Sequence, residues 1–441
     1  MPPECPCRPP RGKGAAEGGQ HHIPTDPAIP QCDLWSGGTD CCWTFAAVPR
    51  QIGSVDADRK YPALSDLRRR ARERLPHFVW EFLDSGTGTE ATKARNRNAL
   101  DSVLLSPSIL HGEVTPNVGT TLLGQRMALP VGIAPVGMSG LVWPGAERQL
   151  ARAAAAAEIP YTLSTVASQT PEDLGDVLGD RAWFQMYPPR DPEIRADMLR
   201  RARAAGFSVL VLTVDVPVGS RRERQVRSGL TQPPKLTPRL LAQVAARPAW
   251  AWGMARGGMP RMRLIDDYAG RSTGLPSTRH AGYLLRTSPD RDYLRWLRDH
   301  WDGPLIVKGV LRSEDAAMLE ADGVDAIWIS NHAGRQFDAA PATIEALPDI
   351  RAACTLPLIM DGGIEGGLDI LRSVALGADF VMMGRGWHYA LAALGAQGPG
   401  HLAKVFRADL EANMGQLGLS RLDEVRTRLL ADRAHADERP A

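Results

Sequence analysis

Cysteine is nearly missing from the body of this 441-residue chain. Cys5, Cys7, Cys32, Cys41 and Cys42 all fall in its first tenth, and Cys354 stands alone beyond them. A body so poor in cysteine fits a reducing compartment better than a disulfide-stapled fold, and a cytoplasmic location is expected. His21 and His22 lie among the clustered cysteines. The paired spacing that zinc ligands usually show is absent, so no metal is expected. No apolar run approaches about 18 residues, so no membrane-spanning helix is expected. The Pro/Gly-rich start has no apolar core of the kind that secretory signals carry. Charge of one sign is also lacking, since 52 basic and 50 acidic residues leave a formal net charge of +2. With no stripe of basic and aromatic residues either, a nucleic-acid partner is not expected.

What is present suits an enzyme with a sizeable core, at 44% apolar and 23% charged residues. Residues 1–55 hold Pro, Gly and Cys without any period and are expected to be a disordered extension. Residues 56–125 are expected to form a helical cap, because YPALSDLRRRARERLP and HFVWEFLDSG have helical patterning, with Gly86 placed as a C-cap. From residue 126 to 420 the pattern becomes short apolar runs alternating with amphipathic or Ala-rich stretches. The runs are 129–137, 160–165, 182–187, 208–215, 304–310, 326–332, 357–363 and 380–386. Each is β-rich and too short for a helix. Eight such units in order predict buried parallel strands closed into a (β/α)8 TIM barrel, with residues 421–441 as a C-terminal tail.

One connection is out of proportion. Residues 216–303 join the fourth and fifth runs and include PAWAWGMARGGMPRMRL. Its Trp250, Trp252, Met254, Met259 and Met262 stand among Arg256, Arg261 and Arg263. That composition fits first a lid over the barrel mouth, and next an interfacial segment over 249–264 touching a membrane surface.

Active sites in such a barrel are built where the strands end, and the run ends here are polar or glycine-rich. In order they hold Pro135, Val136 and Gly137; Ser164 and Thr165; Gln185 and Tyr187; Thr213 and Asp215. Then follow Lys308; Ser330, Asn331 and His332 with Arg335 close behind; Asp361, Gly362 and Gly363; and Gly384 with Arg385. A lone Thr or Gln at a strand end usually satisfies backbone, but nearly every end being polar points to a site. The glycine ends of the last two runs suit a phosphate, with Arg385 able to meet it bidentately. Lys308 lies between apolar neighbours and requires a negative partner, which an anionic reduced flavin would supply. His332 can take a proton near neutral pH, Arg335 can hold a carboxylate in a fixed fork, and Asp215 can orient the imidazole.

At these residues the chain resembles the FMN-dependent 2-hydroxy-acid oxidase and dehydrogenase family. The likeness runs from about Tyr61 to Leu419 through LPHFVWEFLDSG, ARNRNAL, IAPVGMSG, TLSTVAS, FQMY, LTVDVPVGSRRE, IVKGV, SNHAGRQFD, DGGIEGG and GRG. The PVG, TLSTV and WAW features resemble the bacterial membrane-associated L-lactate dehydrogenase branch. The resemblance implies FMN as cofactor, a small L-2-hydroxy acid as substrate and oxidation to the 2-oxo acid. It implies His332 as base, Asp215 as its partner, Arg335 and Arg222 as carboxylate binders and Tyr187 as a substrate contact. Pro135, Val136, Gly137, Ser164, Gln185, Thr213, Lys308 and Ser330 would lie on the flavin ring side. Asp361, Gly362, Gly363, Gly384 and Arg385 would lie toward the ribityl chain and phosphate. A homotetramer is also implied, and electrons would pass to a quinone, a cytochrome or oxygen.

Four positions depart from the family pattern. Phe82 replaces a tyrosine, Ala333 a glycine, Glu365 a phosphate-contacting arginine, and Val166 the tryptophan of glycolate oxidases. A weakened phosphate site and a wider substrate pocket are the expected consequences. Gly137 stands where oxidases of the family tend to carry alanine, so a dehydrogenase using a quinone-like acceptor is expected. An oxygen-using oxidase, a flavin barrel isomerase and a non-catalytic flavin protein are the alternatives. The first would reoxidise rapidly in air, and the other two would not bleach with hydroxy acids.

Overall fold

All eight apolar runs become parallel strands of one closed barrel in the computed structural model, which describes residues 54–230, 237–268 and 287–430. The expected disordered extension falls outside the described residues, apart from its last two positions. The strands are β1 (Val131–Ile133), β2 (Tyr161–Ser164), β3 (Ala182–Met186), β4 (Val209–Thr213), β5 (Leu305–Val310), β6 (Ala326–Ile329), β7 (Leu358–Met360) and β8 (Phe380–Met383). Each pairs with its neighbour in sequence, and Val381 beside Val131 closes the ring.

Strand side chains alternate between two faces, and here one face of each strand points into the lumen. Trp183, Val209, Val211, Ile306, Trp328, Ile359, Phe380 and Met382 form a separate buried cluster there. Fully burying each of these large side chains stabilises the fold by roughly 1.5–3 kcal/mol. Leu122 and Met127 join the same cluster from a short antiparallel hairpin, Thr120–Leu122 with Gln125–Met127. Continuing the same alternation one step toward the strand ends brings Gln185, Thr213, Lys308, Ser330 and Asp361 over this apolar filling. The period of two therefore sets which polar residues form the upper layer.

The helical cap covers that layer. Helix α1 (Leu64–Arg74) buries Leu64, Leu67 and Ala71, a stripe at i, i+3 and i+7. Helix α2 (His77–Asp84) is buried nearly all round, its acidic residues included. Buried carboxylates need partners. Glu81 meets Arg224 at 2.6 Å, and Asp84 receives Arg68 at 2.7 Å and the Tyr389 hydroxyl at 2.7 Å. Burial works against the charge of Asp84, but Lys93, Arg68 and Tyr389 outweigh it and hold the carboxyl well below its ordinary range. Helix α2 does not end on a left-handed Gly86. Ser85 is already extended, with φ −70° and ψ 149°. Gly86 is instead required for close approach, because a Cβ there would lie 2.8 Å from the carbonyl of Gly334. Helix α3 (Ala91–Ser102) follows.

In the long connection, helix α4 (Pro248–Gly257) turns Trp250 and Met254 inward. The Trp250 indole donates to the Leu141 carbonyl at 3.1 Å and meets Phe78 edge-on at 5.8 Å. Trp252 and Met259 stay exposed. The inner face of the segment is thus a lid. The chain then returns through β5 to helix α5 (Arg385–Leu394), which packs against α1, and Leu422–Arg428 lies against the body.

Candidate active site

Two residues past β4, Asp215 reaches the loop that follows β6. His332 presents Nδ1 to both carboxylate oxygens of Asp215 at 3.1 Å. The approach depends on Gly309, since a Cβ there would stand 2.6 Å from the Cβ of Asp215. His332 and Ala333 are both left-handed, at φ 55° and 51°, and the His332 N–H donates to Ser330 Oγ at 3.0 Å. A carboxylate accepts only, so Nδ1 carries the proton and Nε2 is left as the basic nitrogen. Burial pushes the imidazole below its ordinary value despite Asp215, and Lys308 and Arg222 push the same way. Burial would raise the Asp215 carboxyl, but the nearby His332 and Lys308 hold it low. The pair at rest is a neutral imidazole on an ionised carboxylate.

Lys308 has its negative partner within the protein rather than only in a reduced flavin. Its Nζ donates to Ser330 Oγ at 2.6 Å and lies 3.2 Å from Asp361 Oδ2. Ser330 donates on to Asp361 Oδ1 at 2.8 Å, and the Trp328 indole donates to Oδ2 at 3.0 Å. Asp361, expected near the ribityl chain, thus also anchors the lysine.

Arg335 and Arg385 are held differently. Arg335 donates to the carbonyls of Phe82, Leu83 and Ser85 at 2.9, 3.0 and 3.2 Å. Arg385 donates to Leu83, Ser85 and Ala333 at 3.1–3.2 Å. Those of Phe82, Leu83 and Ser85 are carbonyls at the C-terminal end of α2, which favour cations, and that of Ala333 belongs to the His332 loop. Burial, followed by the Arg222 and Arg385 guanidiniums, pushes Arg335 well below its usual pKa. A guanidinium stays protonated regardless, so the same forces make this group a strong attractor for an anion. Arg222 sits at φ 47° with Nε on Ser220 Oγ at 3.2 Å.

Arg222, Lys308, His332, Arg335, Asp361 and Arg385 line one cavity of about 260 Å³, together with Pro135, Val136, Gly137, Gln185, Tyr187 and Thr213, while Asp215 lies behind His332. Ser164 and Ser330 are buried one step behind its wall, Ser164 donating to Gln185 Oε1 at 2.9 Å. Gly362 and Gly363 line a second cavity that shares Ala333 and Arg385 with the first. The residues fit a flavin. Gln185 Nε2 and Thr213 Oγ1 are buried with no hydrogen-bond partner among the described residues, and the polar edge of an isoalloxazine offers acceptors for such groups. The glycine turn and Arg385 suit a phosphate.

Several wall residues are not among the site residues expected from the sequence, although Met262 belongs to the segment noted there. Met138, Val216 and Met262 add apolar surface, the last from the lid. Beneath the wall, Asn96 and Asn331 exchange amide hydrogen bonds at 2.9 and 2.7 Å, tying α3 to the His332 loop. Asn96 lies in the ARNRNAL segment, which is the one sequence pointer to it. Phe82 lines the cavity with its ring 5.8 Å from the Arg335 guanidinium. Val166 lies against Gly137, where an added Cβ would stand 2.5 Å from Val166 Cγ2.

A sequence model of the FMN-dependent dehydrogenases matches residues 71–432. An L-lactate dehydrogenase of Caulobacter vibrioides is 39% identical over 375 residues, covering 84% of this chain and 97% of that protein. An L-lactate dehydrogenase of Pseudomonas aeruginosa is 37% identical over 369 residues, covering 82% and 96%. Among solved structures, a monotopic membrane protein, (S)-mandelate dehydrogenase, superposes with a TM-score of 0.81 at 32% identity, covering 84% of this chain and all of the other.

Proposed function

The chain belongs to the FMN-dependent dehydrogenase family and is a 2-hydroxy-acid oxidoreductase, and we propose that its substrate is a small lactate- or mandelate-like L-2-hydroxy acid whose electrons pass to a quinone-type acceptor. FMN, when bound, supplies the two-electron acceptor. The observation that carries the reading is that His332, backed by Asp215, faces the same cavity as Arg335 and Lys308.

Arg335 and Arg222 hold the substrate carboxylate, which fixes the α-carbon relative to His332. His332 Nε2 takes a proton from the substrate as it is oxidised, and Asp215 steadies the resulting imidazolium through Nδ1. Lys308, seated 3.2 Å from Asp361, favours negative charge developing at the cavity floor. Tyr187 borders the substrate, and the apolar wall of Met138, Val166, Val216 and Met262 receives its side chain. The lid and the buried α2 keep water out.

Gly137 supports a dehydrogenase over an oxidase, because oxidases of the family tend to carry alanine there, and here the place an added Cβ would take is already occupied by Val166 Cγ2 at 2.5 Å. The exposed Trp252 and Met259 on the outer face of the lid support peripheral contact with a membrane, where a quinone is met. Among the described residues no helix is long and apolar enough to cross one. Stopped-flow reoxidation tests the acceptor: the substrate-reduced protein should react slowly with air and rapidly with a soluble quinone. Reoxidation by air as fast as reduction by the hydroxy acid would make it an oxidase. Trp252→Ser with Met259→Ser should lower sedimentation with anionic vesicles, and unchanged sedimentation would remove the membrane contact.

A further inference from the structure

The second cavity, of about 450 Å³, lies between the cap and the ends of β7 and β8. The Gly362–Gly363 turn, at φ 102° and 86°, forms one wall, and Arg385 forms another. Opposite them stands Lys93 of α3. Its Nζ is tethered to the Asp84 carbonyl at 2.6 Å and to Asp84 Oδ2 at 3.2 Å, with Glu90 at 3.7 Å. Asp84 does not neutralise it alone, because the same carboxylate also serves Arg68 at 2.7 Å and Arg224 at 3.1 Å. Burial, and next the nearby Arg385, depress the ammonium of Lys93, so Lys93 and Arg385 crowd one space that Arg68 and Arg97 also border. An anion between them relieves that crowding.

Glu365 borders the same cavity but is half-exposed, and Arg68 of α1, which lines that cavity too, lies 4.0 Å from it. The Glu365 backbone N–H is committed to Asp369 at 2.9 Å. The carboxylate is therefore drawn toward the cap helix and partly offset there, rather than set against the glycine turn.

We propose that Lys93 of the helical cap, together with Arg385, holds the FMN phosphate in this cavity, and that Arg68 screens Glu365 from it. Cofactor retention then depends on the cap and not only on the barrel, so the phosphate bridges the two. The inference rests on FMN being the cofactor.

The test compares FMN with riboflavin, which lacks the phosphate, by quenching of flavin fluorescence on titration into apoprotein. Lys93→Met should weaken FMN binding by about tenfold or more, the size expected for one lost charge-assisted contact, while riboflavin binding stays within about twofold. Lys93→Arg should restore FMN. If Lys93→Met does not fold, Lys93→Gln serves in its place. Unchanged FMN affinity, or equal weakening of FMN and riboflavin, would overturn the assignment of Lys93. Failure of the parent apoprotein to take up either flavin would instead count against the cofactor itself.

Discussion

On one side of the barrel mouth Asp215 meets His332 and Lys308 meets Asp361, each cation or proton carrier facing a carboxylate at 3.1–3.2 Å. On the other, Arg335 and Arg385 rest on main-chain carbonyls at the end of α2 and, for Arg385, on that of Ala333, and among the described residues neither lies within 4.0 Å of a carboxylate. The first side has each donor seated on a carboxylate before any ligand arrives. The second keeps its positive charge available, because carbonyl dipoles hold a guanidinium in place without neutralising it. Proton handling is thus preorganised by pairing, while anion capture is preorganised by leaving charge unpaired.

Breaking the paired side should have the largest effect. His332→Ala should keep FMN yet slow anaerobic flavin reduction by about 10²- to 10⁴-fold, the usual loss for a positioned base. A rate near that of the parent would remove His332 from the chemistry. The depressed imidazole also fixes a sign: the base is neutral above its pKa, so kcat/KM should fall only as pH drops through a value below about 6.5. An acid limb above that value would mean that Asp215 outweighs burial.

Breaking the unpaired side should cost less. Arg335→Met removes a charge-assisted contact of roughly 1.5–3 kcal/mol, about a 10- to 150-fold loss in kcat/KM for the hydroxy acid. Arg335→Lys should not restore it, since an ammonium cannot match the fork. Full rescue by lysine would show that charge alone acts there.

The first-strand loop sharpens the contrast, because its constraint is steric. Gly137→Ala should overpack against Val166 by about 1–3 kcal/mol, visible as a lower melting temperature. Val166→Ala in the same protein should relieve most of that loss, and additive losses would place the strain elsewhere. The smallest effect belongs to Phe82→Tyr. A hydroxyl beside Arg335 gives the carboxylate a further donor, and KM for lactate should drop by about two- to tenfold. An unchanged KM would mean that the ring edge does not reach the substrate.

The paired side was the more legible in sequence, for a physical reason. Alternation along a strand puts Thr213, Lys308, Ser330 and Asp361 on the lumen face, and polar residues there announce themselves against apolar neighbours. The unpaired side leans on carbonyls of Phe82, Leu83 and Ser85, and main-chain acceptors have no residue signature. The need for Gly309 beside Asp215 was hidden in the same way, because it arises from two strands meeting. Lys93 has no sequence sign of its place, because only the fold brings α3 to the glycine turn. For the lid, composition alone supported both a packed and an exposed role. The structure turns Trp250 and Met254 inward and Trp252 outward, one residue type on two faces.

The central claim is that His332 and Arg335 act together on a hydroxy acid beside FMN. Anaerobic mixing of the FMN-loaded protein with L-lactate and with (S)-mandelate, followed at the visible flavin band, tests it most directly. The account predicts rapid bleaching by at least one of them, no bleaching by its mirror image, and none on the same timescale in His332→Ala. A flavin that stays yellow with both acids, or bleaches equally fast without His332, would contradict it.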